Sequence, residues 1–291
     1  MVKALIKSMR LRTLPLSLAG VVCGGLMAYP HTEAAHPVEA LVFLFLTTIA
    51  LQVLTNLSNE LGDHISGVDG DGREGPNYSM ADGGLTVKQM WKAINGTVVT
   101  CCLLGWLMIF FSFGSYLHSW EPTALIVLGA AAIWAATHYT LGKKPYGYIG
   151  LGDLFVFIFF GLVSVLGGYF VMAHTLEWNV LIPACAIGLL SVAVLNVNNI
   201  RDMASDLGKR KTIPLRIGPR TAKCYQTFLV LAGASLLYFT LPFKWWNTLL
   251  MAIMIAHVVV VWSNDGKKLD PALPILVITT FLFGLSYGLQ F

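Results

Sequence analysis

An all-α polytopic membrane protein is the fold class that these 291 residues predict, on three observations. Hydrophobic residues make up 56% of the chain and charged residues 12%, far outside the composition of soluble domains. Apolar windows of about 20 residues, the length that crosses a hydrocarbon core about 30 Å thick, recur along the whole sequence. Nine are present, near residues 13–29, 38–58, 97–118, 121–140, 151–173, 178–198, 222–241, 246–263 and 271–290. Threading the chain through them places every Lys and Arg except Lys244 on one face, the asymmetry that marks the cytoplasmic side. Helices are expected because the period-two alternation of a membrane barrel is absent.

The N-terminal MVKALIKSMRLRT is basic and weakly amphipathic, so residues 1–12 are expected to form an interfacial helix, not a cleavable signal peptide. It leads into TLPLSLAGVVCGGLMAY, the first span. The second, VEALVFLFLTTIALQVL, runs into the polar stretch NLSNELGDHISGVDGDGREG at residues 56–75. The fourth ends in HYTLGKKPYGYIGLGD, the fifth carries the aromatic run FVFIFFGLV, and the sixth opens into LNVNNIRDMASDLGKRKTIPLRIG at residues 195–218. On the face opposite the lysines and arginines the loops are short turns with Trp120, Trp178, Trp245 and Trp246 at interfacial positions. Two loops on the basic face, 59–92 and 199–221, are long and polar, and function concentrates in such segments. No separate soluble domain is visible, so 1–291 reads as a single transmembrane domain with its C-terminus opposite the cytoplasm. The five cysteines show no metal-ligand or disulfide spacing and read as small apolar fillers.

The two long loops echo one another. Asn59 is followed four residues later by Asp63, and Asn198 by Asp202 and then Asp206. Spacing of four stacks these groups on one helical stripe, so each helix end presents a polar ridge, and both ridges lie on the same side. Facing carboxylates in a low-dielectric setting repel unless cations sit between them, and hard oxygen donors suit Mg²⁺ that bridges to substrate phosphates. A solvated helix terminus is the plain alternative for any one acid, but the duplication in a chain with only 15 acidic residues points to a site. An EF-hand loop from Asp69 fails, because Arg73 takes its fifth position and Glu74 stands where glycine is required. Tyr139 and Lys143 are again spaced by four, and a positioned lysine with a phenol one turn away suits a leaving diphosphate. Glu60 and Asp71 read as solvated.

Together, NELGDHISGVD, HYTLGKKPYGYIGLGDLFVFIFFG, NNIRDMASD with RKTIPLRIG, and LRTLPLS at the first span resemble the UbiA superfamily of intramembrane aromatic prenyltransferases. The resemblance covers essentially the whole chain and is strongest to the branch that prenylates 1,4-dihydroxy-2-naphthoate in menaquinone synthesis. It implies nine helices around a central cavity, Mg²⁺ as cofactor, and a polyprenyl diphosphate and the naphthoate as substrates in a bacterial cell membrane. No nucleic-acid partner is expected. The implied metal ligands are Asn59, Asp63, Asp69, Asn198, Asp202 and Asp206, and the implied catalytic set is Asp63, Asp202, Tyr139 and Lys143. Lys143, Arg73, Arg210 and Lys211 are candidates for the diphosphate, and Arg10 and Arg12 for the naphthoate carboxylate. One departure stands out. The commoner pattern has a further Asp four residues after the first, where this chain has Gly67, which leaves both Asp69 and Asp71 open as the next metal-reaching acid. An acceptor such as 4-hydroxybenzoate is the nearest alternative. A cation or metabolite transporter is the more distant one, disfavoured because its acids tend to lie at the midplane between inverted repeats.

Overall fold

The computed structural model describes residues 1–67, 78–117, 119–242 and 244–290, and every regular element among them is helical. The N-terminal helix α1 (Val2–Met9) is followed by Arg10 in the left-handed region (φ 50°) and a 3-10 turn, so α2 (Leu14–Ala28) starts in a new direction. The long α3 (Pro37–Ile65) and α4 (Val87–Phe113) form an antiparallel pair, and α5 (Trp120–His138) packs against both. Next come α6 (Gly152–Val156) and α7 (Ser164–Ala173), joined without a break by the π-helical stretch Phe157–Val163. Then α8 (Leu181–Arg201) returns to the polar end, where the short α9 (Met203–Asp206) and α10 (Ile213–Ile217) lie. The last three are α11 (Pro219–Thr240), α12 (Trp245–Ser263) and α13 (Ala272–Gly288).

Eight helical segments among the described residues are long and apolar enough to cross a membrane. The ninth expected span, α11, is as long but more polar, because its first turns carry Arg220, Lys223 and Gln226. Burial inside the bundle accommodates two of these. Lys223 pairs with Asp265 at 2.8 Å, and Gln226 is hydrogen-bonded to Asn196 at 2.9 Å.

Two helices run further into the polar end than the apolar windows predict. Leu54, Leu57 and Leu61 recur at helical spacing and are fully buried against Met80, Leu85 and Met90, so α3 stays helical through the acidic motif. Thr86 and Gln89 form a capping box that starts α4 about ten residues before the expected 97. The second long loop is likewise partly helical.

Besides a small cluster where the ends of α8, α11, α12 and α13 meet, the core falls into a large cluster built mainly from α2, α7, α8, α11, α12 and α13 and a smaller one from α1, α3, α4 and α5. A cavity of about 500 Å³ lies between them.

Candidate active site

The first motif occupies the last two turns of α3. Asp63 is 4% exposed, and both it and Asn59 line the cavity. Gly62 lets the end of α5 approach: a Cβ there would lie 2.5 Å from Thr140 Oγ1. Thr140 in turn donates to Ser58 O at 2.9 Å and to Asn59 Oδ1 at 3.3 Å, which orients the motif asparagine. Gly67 has φ 69°, and the Gly67 N–H closes the helix on His64 O. The departure from the commoner pattern therefore has a structural reason: a left-handed glycine ends the stripe where a further Asp would extend it. Asp69, Asp71 and Arg73 lie outside the described residues.

The second motif crosses the end of α8. Although Asp202 itself leaves helical geometry, main-chain bonds run from Asp202 N to Asn198 O (3.0 Å), from Asp206 N to Asp202 O (2.9 Å) and from Arg210 N to Asp206 O (3.1 Å). The spacing of four thus persists through the break, and Asn198, Asp202 and Asp206 all line the cavity. Arg201 grips Asp202 with two bonds, of 2.8 and 2.7 Å, and holds Asp270 with a third of 2.7 Å. Neither Arg201 nor Asp270 is singled out by spacing, since Asp270 comes from the distant turn before α13.

Arg210 joins the two halves. Its guanidinium pairs with Asp63, lies 3.8 Å from Asp206, and sits 4.8 Å over the Tyr148 ring. Burial works against its charge, and the Asp63 and Asp206 carboxylates outweigh that, holding its pKa above the ordinary arginine value. The Tyr148 hydroxyl donates to Asp63 Oδ1 at 2.8 Å and lies 2.9 Å from Ser66 Oγ. Burial, then the Asp63 charge, pushes the Tyr148 phenol above its usual pKa, so it is a neutral donor at physiological pH.

Glu60 corrects an expectation. It is fully buried, away from the cavity, and its Oε1 accepts the Met80 N–H at 2.9 Å. The helical turn that aims Asn59 and Asp63 at the cavity points Glu60 at the segment 78–80, which it ties down. Glu60→Ala is expected to cost about 1–3 kcal/mol, the penalty for stranding a buried donor. Thermal unfolding in detergent measures it; a melting temperature equal to wild type removes this anchoring role.

Tyr139 lines the cavity, but Lys143 does not: α5 ends at His138, and Gly142 at φ 103° swings Lys143 off the stripe to an exposed position. Lys211 is exposed as well and contributes its main chain, donating to Tyr148 O at 3.0 Å. Arg10 and Arg12 both line the cavity and share Tyr78. The Arg10 guanidinium stacks 3.6 Å from the ring centroid, and Arg12 Nη2 donates to the hydroxyl at 3.0 Å. Among the described residues, Arg10 Nε and Nη2 are buried without a hydrogen-bond partner. From the aromatic run, Phe155, Phe159, Phe160 and Val163 line the apolar part of the cavity.

The mouth therefore presents hard oxygen donors from two helix ends. Among the described residues no three His, Cys, Asp or Glu side chains close into a metal cage. A divalent cation that takes part of its sphere from phosphate oxygens and water fits such a set. The guanidinium between Asp63 and Asp206 shows that the space between them accepts positive charge.

Residues 17–282 match the UbiA prenyltransferase family. The chain is 39% identical over 234 residues to the 1,4-dihydroxy-2-naphthoate octaprenyltransferase of Escherichia coli (strain K12), covering 79% of this chain and 74% of that protein. It is 34% identical over 289 residues to the 1,4-dihydroxy-2-naphthoate octaprenyltransferase of Haemophilus influenzae, covering 96% and 92%. Among solved structures, a UbiA homolog from Aeropyrum pernix K1 superposes with a TM-score of 0.68 over 95% of both chains, at 15% identity. A UbiA homolog from Archaeoglobus fulgidus bound to GPP and Mg²⁺ gives 0.64 over 98% of both, also at 15%. At such identities the two structures speak to the fold alone. With nearly the whole chain matched by one family, and with two similar relatives, the protein belongs to the UbiA prenyltransferase family.

Proposed function

We propose that the protein transfers a polyprenyl group from a polyprenyl diphosphate to 1,4-dihydroxy-2-naphthoate, releasing diphosphate and CO₂ and giving the quinol form of demethylmenaquinone. The observation that carries this reading is the meeting of two acidic helix ends across Arg210 at the mouth of a cavity with apolar, aromatic walls. The names of the similar relatives supply the acceptor. In this reading the chain is a multi-pass membrane enzyme embedded in lipid, with its N-terminus and the cavity mouth on the cytoplasmic side.

Asn59, Asp63, Asn198, Asp202 and Asp206 would hold Mg²⁺, which when bound neutralises the diphosphate and makes it a competent leaving group. Arg210 shares that charge from between Asp63 and Asp206, and Tyr148 keeps Asp63 oriented by its hydrogen bond. Tyr139 stands beside the same mouth. Lys143 reaches it only if its loop folds inward. Arg10, with two unpaired buried nitrogens, and Arg12 take the naphthoate carboxylate, both positioned by Tyr78. The allylic C–O bond breaks, the ring carbon bearing the carboxylate bonds to the prenyl carbon, and CO₂ leaves as the ring regains aromaticity. The Phe155 to Val163 wall keeps water from the allylic cation.

The test is mass spectrometry of the product made by purified protein from 1,4-dihydroxy-2-naphthoate or 4-hydroxybenzoate with polyprenyl diphosphates, with and without EDTA. The expected product is the decarboxylated prenyl-naphthoquinol, or the quinone that air oxidation makes from it during work-up, lost with EDTA and restored by Mg²⁺. Prenylation of 4-hydroxybenzoate alone would reassign the acceptor, and indifference to chelation would remove the metal.

A further inference from the structure

The cavity is deeper on one side than on the other. Its lining stops at Ser191 on α8 and at Val277 on α13, but reaches Leu44 on α3, Leu125 on α5 and Val171 on α7. Leu44 precedes Asp63 by 19 positions, about 28 Å at the helical rise of 1.5 Å per residue. An apolar arm therefore runs from the acidic mouth between α3, α5 and α7 across most of a hydrocarbon core of about 30 Å. Nearer the mouth, aromatic rings fill the space between α5 and α6: Phe155 stacks on Tyr146 at 4.0 Å, and Trp134 lies 6.1 Å from Tyr146. Beyond them the walls are mainly aliphatic, with Leu44, Leu125, Leu128 and Val171 among smaller side chains.

Three glycines line the cavity, Gly129 on α5 and the adjacent Gly167 and Gly168 on α7, and of these Gly168 is packed, an added Cβ lying 3.1 Å from Val21 Cα. Glycine inside a helix is destabilising relative to alanine and normally has a packing reason. Most helical glycines here have one: an added Cβ would lie 2.0 Å from Val165 O at Gly24 and 2.5 Å from Gly188 Cα at Gly161. At Gly129 and Gly167 an added Cβ meets no atom of the described residues within 4 Å, the nearby backbone of its own helix aside. Gly96 shares that property, but it lies on an exposed face of α4 outside the cavity. The room beside Gly129 and Gly167 is thus not needed by protein packing, and it belongs to the cavity.

We propose that Gly129 and Gly167 hold open the path of the donor's isoprenoid tail, and that the width they leave determines how long a prenyl chain the protein accepts. This rests on the prenyltransferase reading above. A flexible hydrocarbon tail offers nothing to hydrogen-bond, so it is selected by the shape of the apolar space it must thread. A side chain added beside the arm spares a short donor whose tail ends near the mouth and obstructs a long one.

Gly129→Leu and Gly167→Leu test this, with Gly96→Leu as the control. Each variant is given geranyl or octaprenyl diphosphate with the same naphthoate acceptor, and products are quantified by mass spectrometry alongside thermal melting. The two cavity variants are expected to melt with wild type and to lose about 10-fold or more in the ratio of octaprenyl to geranyl transfer, while geranyl transfer stays within about twofold. Gly96→Leu leaves the ratio unchanged. If a leucine variant fails to accumulate, the corresponding alanine variant is expected to shift the ratio in the same direction by less. An unchanged ratio in folded cavity variants, or an equal loss of both donors, overturns the proposal. Wild-type protein inert toward both donors is instead the failure of the prenyltransferase reading, and it takes this proposal with it.

Discussion

Asp63→Asn is expected to lower turnover about 100-fold or more while leaving the protein folded, because it removes charge without changing shape at the centre of the mouth. Asp63 is nearly buried, accepts the Tyr148 hydroxyl at 2.8 Å and pairs with Arg210. An amide keeps the volume and one acceptor, so the local packing survives. What disappears is half of the negative charge that Arg210 bridges, and with it the attraction for a cation. Steady-state prenylation measured across a Mg²⁺ titration reads both effects. Turnover equal to wild type at any Mg²⁺ concentration would take Asp63 out of the chemistry.

Arg210→Ala has the second large effect, and it falls on stability as well as activity. Asp63 and Asp206 are 4% and 5% exposed, and Arg210 is the cation that stands between them. Removing one member of a buried ion pair typically costs about 3–5 kcal/mol, because a buried partner, here Asp63, loses the charge that balances it. The variant is therefore expected to unfold at lower temperature in detergent and to recover more stability from added Mg²⁺ than wild type does, since the ion replaces the missing charge. Activity falls as well, through loss of a diphosphate contact. A melting curve insensitive to both the substitution and Mg²⁺ would mean that Arg210 is not the bridge between the two motifs.

Much of this site is legible along the chain because it depends on local periodicity. Spacing of four at a helix end places Asn59 with Asp63, and Asn198 with Asp202 and Asp206, whatever those helices pack against, and all five residues line the cavity. The same rule misleads at Tyr139 and Lys143. It assumes that the helix continues, whereas α5 ends at His138 and the chain turns through Gly142, in the left-handed region, before Lys143. The start of α4 was within reach, since Thr86 and Gln89 carry a capping-box pattern that an apolar-window count passes over.

The residues that complete the site share a different property: their partners are far away in sequence. Arg201 is bonded to Asp270, Arg210 to Asp63, and Arg12 to Tyr78, each pairing elements whose separation no periodicity encodes. Glu60 shows the same limit from the other side. One position from Asn59 on the same helix, it is turned by about 100° away from the cavity and into the interior. The chain alone determines that it is a helical membrane protein with two acidic helix ends on one face, because hydropathy and helical spacing are local quantities. Which charges meet, which cation stands between them, and how far the apolar arm extends beside Gly129 and Gly167 were decided by packing. Burial and ion pairing depend on distances between helices, and a single strand of sequence does not contain them.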